Sequence, residues 1–214
     1  MEFKQRRSHA ELAQRVADDI FDGAYVNLGI GRPTLVANYL SPDKEIVLHS
    51  ENGILGMGPS PAPGHEDPDL INAGKQPVTL LPGGSFFHHA DSFAIIRGGH
   101  LDICVLGAFQ VSASGDLANW STGDADAIPA VGGAMDLALG AAQTWVMMDL
   151  FTKTGDSKIV PECTYPLTAI GRVKRIYTDL ATFERVPEGL RVIDHIEGLD
   201  VPSLSALIHI PLIT

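Results

Sequence analysis

A carboxylate held between an apolar run and a glycine-rich stretch is a candidate nucleophile, and Glu51 is such a carboxylate. Glu45-Ile-Val-Leu-His49 precedes it, and Asn52-Gly-Ile-Leu-Gly-Met-Gly58 follows at once. The first run predicts a buried strand of a parallel sheet. Ligands of open α/β sheets bind beyond the carboxyl ends of strands, which is where Glu51 would stand. Glycines let a backbone approach a ligand closely and present N–H groups to it. The same pattern also fits a polar strand end followed by a flexible loop. Glycine pairs occur further along the chain, Gly83-Gly84 and Gly132-Gly133 among them. Singly, each reads as tight turning or close packing. Together with Glu51 they supply the parts for acyl transfer: a carboxylate nucleophile and backbone donors for an oxyanion. Lys75, in Asn72-Ala-Gly-Lys75, reads as a solvated lysine or as a contact for a phosphate.

Other chemistries find less support. There are eight histidines, but His88 and His89 are adjacent and would point to opposite faces of a strand. No HxxxH or CxxC accompanies them, so no metal site is expected; a local polar contact or a place in a substrate pocket fits better. Neither GxGxxG nor GxxxxGK[ST] occurs. Cys104 and Cys163 lie far apart and both read as core thiols. Two such cysteines suit a reducing cytoplasm rather than a disulfide framework. The net charge of −11 argues against nucleic acid and anionic membranes as partners. It leaves open a small anion held by backbone amides and a few placed cations. No apolar run reaches the roughly 18–20 residues of a membrane span, and the opening Met-Glu-Phe-Lys-Gln-Arg-Arg7 lacks the apolar core of a secretory signal. At 214 residues and 45% hydrophobic, residues 1–214 are expected to form one domain.

The elements that would position these residues follow an α/β pattern. Ser8-His-Ala-Glu11 is a capping box opening a helix whose Leu12, Val16 and Ile20 share one face with Ala13, Ala17 and Phe21; Gly23 ends it. Tyr25 to Leu28 is a strand, followed by a helix with Pro33 near its start and Pro42 as its stop. Strands are also predicted at Pro77 to Leu81, ended by Gly83-Gly84, at Leu101 to Leu106, at Trp145 to Met148 and at Arg175 to Thr178. Asp91 to Arg97 reads as a helix, Gly115-Asp116 as a turn, and Gly132-Gly133 as the entry to another helix. Ala181 to Val186 and Leu190 to Ile196, flanking Pro187-Glu-Gly189, predict a hairpin. Pro202 to Ile208 reads as a last short helix. The whole predicts an open, mostly parallel wound sheet flanked by helices. Residues 59–69, rich in proline, are expected to form a lid over the Glu51 strand end or a plain solvent loop.

Read as a whole, His49-Ser-Glu-Asn-Gly-Ile-Leu-Gly-Met-Gly58 resembles the active-site signature of the family I CoA-transferases, in the subunit that carries the catalytic glutamate. The resemblance continues through Leu70 to Lys75, Phe93 to Asp102, Leu106 to Val111, Gly115 to Trp120, Gly132 to Asp136 and Cys163 to Thr168, nearly the whole chain. Gly56 to Gly64, Phe86 to Ser92 and Ile128 to Gly133 are most similar to the branch of the family that transfers CoA from succinyl-CoA to 3-oxoadipate in aromatic catabolism. Ile128-Pro-Ala-Val131 takes the place of a lysine-bearing segment of acetoacetate-specific relatives. The resemblance implies the fold shared by NagB, RpiA and the CoA-transferases. It implies Glu51 as the covalent nucleophile, Asn52 as a donor to it, and the Gly133 N–H facing the oxyanion. It also implies Lys75, Gly53, Gly132 and Gln110 as CoA contacts. CoA would be a substrate, with no permanently bound cofactor and no metal. A separate A subunit would complete a heteromeric enzyme, since few cations lie near Glu51 for so anionic a substrate.

Two alternatives stand beside that expectation: a subunit acting on acetoacetate or another short 3-oxoacid, and a non-catalytic acid-sensing domain of the same fold. The residue that would recognise the second carboxylate of 3-oxoadipate is left open between Arg32, His88, His89 and a group from the partner.

Overall fold

The computed structural model describes residues 6–123, 129 and 132–214. Ile128, Ala130 and Val131 of the segment compared above lie outside the described residues. In chain order the elements are α1 (His9–Asp19), β1 (Tyr25–Leu28), a short 3-10 helix (Arg32–Asn38), β2 (Val47–Ser50), β3 (Ile54–Met57), β4 (Leu80–Phe86), α2 (His89–Arg97), β5 (Ile103–Leu106), β6 (Gln110–Ser112), β7 (Leu117–Ala118), α3 (Ala134–Gly140), β8 (Gln143–Met148), β9 (Ile159–Val160), β10 (Val173–Thr178), β11 (Ala181–Val186), β12 (Gly189–His195), α4 (Val201–Ile208) and β13 (Leu212–Ile213).

Ten strands form one sheet in the order β13-β12-β11-β10-β8-β5-β1-β2-β3-β4. Its centre, β2-β1-β5-β8-β10, is parallel throughout. Antiparallel strands extend both sides, β3 and β4 beyond β2, and β11 and β12 beyond β10. Chain order reverses direction at β1, whose successor β2 lies on one side while β5 and β8 lie on the other. Such a reversal opens a crevice at the strand ends.

The central strands are buried on both faces, and their side chains divide by the two-residue period of a strand. Cys104 and Leu106 of β5 and Val146 and Met148 of β8 enter one core; Ile103, Val105, Trp145 and Met147 enter the other. The second core is closed by α1, whose Leu12, Ala13, Val16 and Ala17 are buried. Its capping box forms as expected, with the Ser8 hydroxyl accepting from Glu11 N–H and the Glu11 carboxylate accepting from Ser8 N–H at 2.7 Å; such a cap is worth about 1 kcal/mol. Phe21 leaves the predicted apolar face and is 47% exposed, because α1 stops at Asp19 before reaching it. The other core takes Ile96 from α2, Leu137 from α3, Leu204 from α4, and Val111, Leu117 and Ile159 from a second sheet, β7-β6-β9. That second sheet is absent from the sequence reading; its strands are two or three residues long and carry no resolvable period.

Three expectations are corrected. Within the stretch from Gly53 to Gly58, Ile54–Met57 is not a loop but β3, paired antiparallel with β2. Gly83-Gly84 does not end a strand but lies inside β4. Both follow from one close approach: a methyl on Gly56 would stand 2.9 Å from Gly84 Cα, so the glycines let two backbones touch at a register shift. The predicted helix after Gly31 is 3-10, with Pro33 near its start. Among the described residues no helix is long and apolar enough to cross a membrane.

Gly56 has φ +78 and no room for a side chain, whereas Gly64 has φ +82 and open space around it. Gly56→Ala is therefore expected to destabilise the fold by about 2–4 kcal/mol, from backbone strain plus overlap. Gly64→Ala should cost only the strain, about 1–2 kcal/mol. Denaturant midpoints of the two variants check this; equal shifts would refute the packing account.

Candidate active site

Glu51 is the first residue of the turn joining β2 to β3, where Ser50 pairs with Ile54 and Gly53 N–H donates to Ser50 O at 2.9 Å. Gly53 is required there: φ is +104, and a methyl would overlap the Phe87 carbonyl oxygen. This tight turn projects the Glu51 side chain from the carboxyl end of β2. Beside it lie Gly29 at the end of β1 and Leu106, Gly107, Ala108 and Phe109 at the end of β5. With Ile30, Asn119, Gly132, Gly133, Ala134 and Leu137 they line a cavity of about 440 Å³ that contains Glu51. The β1 and β5 ends are drawn together by Gly29 N–H, which donates to Val105 O at 2.8 Å. Asn119 braces the far wall, donating to Gly107 O at 3.1 Å and accepting from Thr168 at 2.6 Å.

Glu51 lies against Gly133. Gly133 caps α3 at φ −72, an ordinary conformation, yet a methyl built on it would overlap Glu51 Oε2. The glycine is thus demanded by the carboxylate, not by the turn. Its N–H donates to none of the described residues. Phe93 of α2 closes the same corner, with Cζ 3.1 Å from the position such a methyl would occupy. Helices α2 and α3 are held together at this end by Arg97, which donates to both oxygens of Asp136 at 2.7 and 3.3 Å.

The Glu51 pKa is raised, chiefly because burial removes water from the carboxylate; the His89 imidazole pulls it down and the Asp136 carboxylate pushes it up. No hydrogen bond from the described residues ends on the carboxylate. Asn52, expected to donate to it, gives its amide to Ile71 O at 2.8 Å instead. The amides of the following glycines are also engaged, Gly53 with Ser50 and Gly58 with Thr79 O.

Behind Glu51, within the sheet, lies a buried polar chain that the sequence reading missed. Asn27 Nδ2 donates to His49 O at 3.1 Å and sits 3.0 Å from His49 Nδ1; His49 Nε2 lies 2.9 Å from Ser92 Oγ. The Asn27 amide must point its NH₂ at the His49 carbonyl, so Nδ1 is the acceptor and Nε2 carries the proton. Ser92 Oγ then reaches Ser50 O at 3.5 Å, at the peptide that carries Glu51. The orientation leaves Asn27 Oδ1 buried without a partner among the described residues. Burial lowers the His49 pKa to about 4, so the ring is neutral near pH 7.

The predicted site residues are therefore only partly assembled. Glu51, Gly132 and Gly133 meet at the cavity. Gln110 faces away, its amide oxygen accepting from Thr164 N–H at 2.8 Å and from Tyr165 N–H at 3.3 Å. Lys75 stands at φ +62 in the turn between Asn72 and Gln76, and the adjoining Gly74 lies beside Ile30 at the cavity rim, 3.6 Å from a methyl built there. Residues 59–69 line no part of the cavity. Arg32 is paired with Asp149 at 2.5 Å. His88 and His89 begin a helix rather than occupy a strand: His88 Nδ1 accepts from Ala90 N–H as the α2 cap, and His89 is its first residue. Cys104 is wholly buried and its thiol is pushed up to about 12; Cys163 is only partly buried, with burial raising it to about 11. Among the described residues no cluster of three or more His, Cys, Asp or Glu side chains is placed to hold a metal.

Residues 9–201 match the family described as Coenzyme A transferase. The chain is 69% identical over 213 residues to the B subunit of 3-oxoadipate CoA-transferase from Pseudomonas putida, covering 100% of both chains. It is 49% identical over 190 residues to the B subunit of succinyl-CoA:3-ketoacid coenzyme A transferase from Helicobacter pylori, covering 89% of this chain and 91% of that one. The fold is similar to an acyl-CoA transferase of Escherichia coli O157:H7 solved as a thioester complex with CoA, at TM-score 0.73 and 20% identity, with all of this chain matching 43% of that longer one.

Two outcomes follow from the geometry. Gly133→Ala should fold normally but displace the Glu51 carboxylate, and a misplacement of about 1 Å can cost on the order of 100-fold in rate. Gly132→Ala adds its methyl to open space and serves as the control for folding alone. A folded Gly133→Ala protein that keeps any activity shown by the parent chain would remove the steric argument. For His49, the unfolded ring binds a proton below about pH 6.5 and the folded ring only below about pH 4. Stability should therefore fall as pH drops through that window, by up to about 3 kcal/mol. Histidine ring resonances should contain one signal titrating near pH 4 that is missing in His49→Gln; an ordinary midpoint for His49 would contradict its burial as a neutral ring.

Proposed function

From the premise that the chain belongs to the Coenzyme A transferase family, we propose that it is the glutamate-bearing B subunit of a 3-oxoadipate CoA-transferase, moving CoA from succinyl-CoA to 3-oxoadipate in aromatic catabolism. The full-length 69% identity supports this substrate pair. The observation that carries the chemistry is Glu51 pressed against the Gly133 backbone, inside a cavity at the ends of the central parallel strands.

In this reading Glu51 attacks the thioester carbonyl of succinyl-CoA and expels CoA thiolate, leaving a mixed anhydride. The thiolate attacks the glutamyl carbonyl, releasing succinate and forming a glutamyl-CoA thioester. The carboxylate of 3-oxoadipate attacks that thioester, and the freed thiolate then takes the 3-oxoadipyl group and restores Glu51. Each step exchanges one anion for another, so no proton needs to be moved and no general base is called for. This suits a carboxylate with no acid–base partner hydrogen-bonded to it. The Gly133 N–H, unengaged by the described residues, would donate to the oxyanion of each tetrahedral intermediate. Gly132 and Ile30 would flank the pantetheine arm, with Lys75 at the rim beside Ile30 meeting a more distant part of CoA. A weak nucleophile of this kind depends on positioning, which can supply roughly 7–11 kcal/mol, and on binding of CoA away from the reacting carbonyl.

An A subunit completes the site in this reading. Two of the cations near the cavity are already paired, Arg32 with Asp149 and Arg97 with Asp136, so a substrate as anionic as CoA needs charge from a second chain. A second substrate reading, acetoacetate or another short 3-oxoacid, rests on the 49% identical relative. The two are separated by comparing acceptors.

Co-assembled with a candidate A subunit and given succinyl-CoA alone, the chain should acquire the mass of CoA on the peptide containing Glu51. Glu51→Gln keeps the shape but cannot form the anhydride, so the adduct and turnover should both vanish. Without the A subunit, transfer should be negligible. An adduct persisting in Glu51→Gln, or full activity of the chain alone, would overturn this assignment.

A further inference from the structure

We propose that His89 binds the second carboxylate of the acceptor acid and so sets the preference for a dicarboxylic 3-oxoacid over a monocarboxylic one. This rests on the substrate reading above and adds the residue that would enforce it. A six-carbon diacid whose first carboxylate reacts at Glu51 carries its other carboxylate roughly 6 Å away, given C–C bonds of about 1.5 Å. That charge needs a donor at the corresponding distance.

Most cationic or donor groups around the site are engaged. Arg32 is held by Asp149. Arg97 is held by both oxygens of Asp136 and lies 5.7 Å over the Phe93 ring. His88 uses Nδ1 to cap α2, which requires that nitrogen unprotonated. Lys75 belongs to the turn at the opposite wall, next to Ile30, and does not line the cavity.

His89, like Lys75, does not itself line the cavity, but it stands on α2 one side chain away from Glu51 and is held by no ion pair among the described residues. Its ring is exposed and makes no hydrogen bond to the described residues. It rests against Phe93 with centroids 4.9 Å apart, and Phe93 in turn abuts the place where a Gly133 side chain would begin, beside Glu51. One phenyl ring thus separates the imidazole from the reacting carboxylate, close enough for its charge to act on Glu51. A diacid lying across Phe93 would have its near end at Glu51 and its far end at His89. An imidazole N–H donates to a carboxylate whether the ring is neutral or charged, and more strongly when charged. A four-carbon monoacid such as acetoacetate has no group to reach it.

The test isolates the acceptor step, because succinyl-CoA also ends in a carboxylate. Enzyme assembled with its A subunit is loaded as the CoA thioester with succinyl-CoA, freed of excess donor, and discharged with 3-oxoadipate or acetoacetate in a single turnover. His89→Asn should still load fully with CoA; any effect of the lost imidazole on Glu51 is common to both acceptors and cancels in their ratio. Its discharge by 3-oxoadipate should weaken by roughly 10- to 100-fold, mostly in the half-saturating concentration, the usual scale for a hydrogen bond to a charged group. Discharge by acetoacetate should change less than about twofold, within the scale of a peripheral contact. His89→Arg should recover much of the response to 3-oxoadipate. Equal losses with both acceptors, no loss with either, or failure of His89→Asn to load would each overturn the assignment, the first and last by showing that His89 serves Glu51 itself. A parent enzyme discharged by acetoacetate and not by 3-oxoadipate would overturn the substrate reading and this inference together.

Discussion

The contact between the Glu51 carboxylate and the backbone at Gly133 constrains much of what surrounds it. A side chain cannot be placed at residue 133 without moving the carboxylate. The carboxylate in turn is half-buried, carries no hydrogen bond from the described residues, and faces the like charge of Asp136. Burial of a poorly solvated anion is unfavourable and raises its pKa. The fold offsets that cost only in part, through His89 and through Arg97, which neutralises Asp136. A carboxylate stripped of donors and held in place is costly to stability, and functional sites are where such costs are tolerated.

The framework behind the carboxylate is correspondingly rigid. β2 is paired on one side with β1 and on the other with β3, and its His49 and Ser50 are buried. The Asn27–His49–Ser92 chain ties β1, β2 and α2 together with directional bonds inside the buried sheet. α2 then carries His89 and Phe93 toward Glu51, and Arg97 fastens it to α3, which Gly133 caps. Close contact between the two helices is possible because Gly140 has no side chain to meet the Ile96 carbonyl. The strands and helices around Glu51 are thus held by one connected network.

Charge distribution explains why a chain of net charge −11 can still serve an anionic substrate. Screening at physiological salt limits exposed charges to about 8 Å, so the few groups around the cavity matter more than the total. Of the cations close to the rim, Arg32 and Arg97 are committed to aspartates. Those pairs fix geometry and leave little free positive charge on this chain, which is the physical basis for expecting a second subunit at the site.

Much was legible in the sequence because it depends on local pattern. The Ser8 cap, the α1 face, the apolar central strands, the 181–195 hairpin and the candidacy of Glu51 and Gly133 all follow from spacing and residue type. Recognition of the signature around Glu51 added the family, since that order of residues is specific. What the sequence could not supply was pairing. It could not tell that Gly56 and the pair at 83–84 belong to adjacent strands whose backbones touch, because a glycine records only the absence of a side chain and not what fills the space. It could not tell that the Asn52 side-chain amide goes to Ile71 and the Gly53 N–H to Ser50, since each donor has one partner and tertiary structure chooses it. Nor could it separate His88 from His89: neighbours of the same type differ only in that one nitrogen is consumed by a helix cap while the other ring rests on Phe93 beside Glu51.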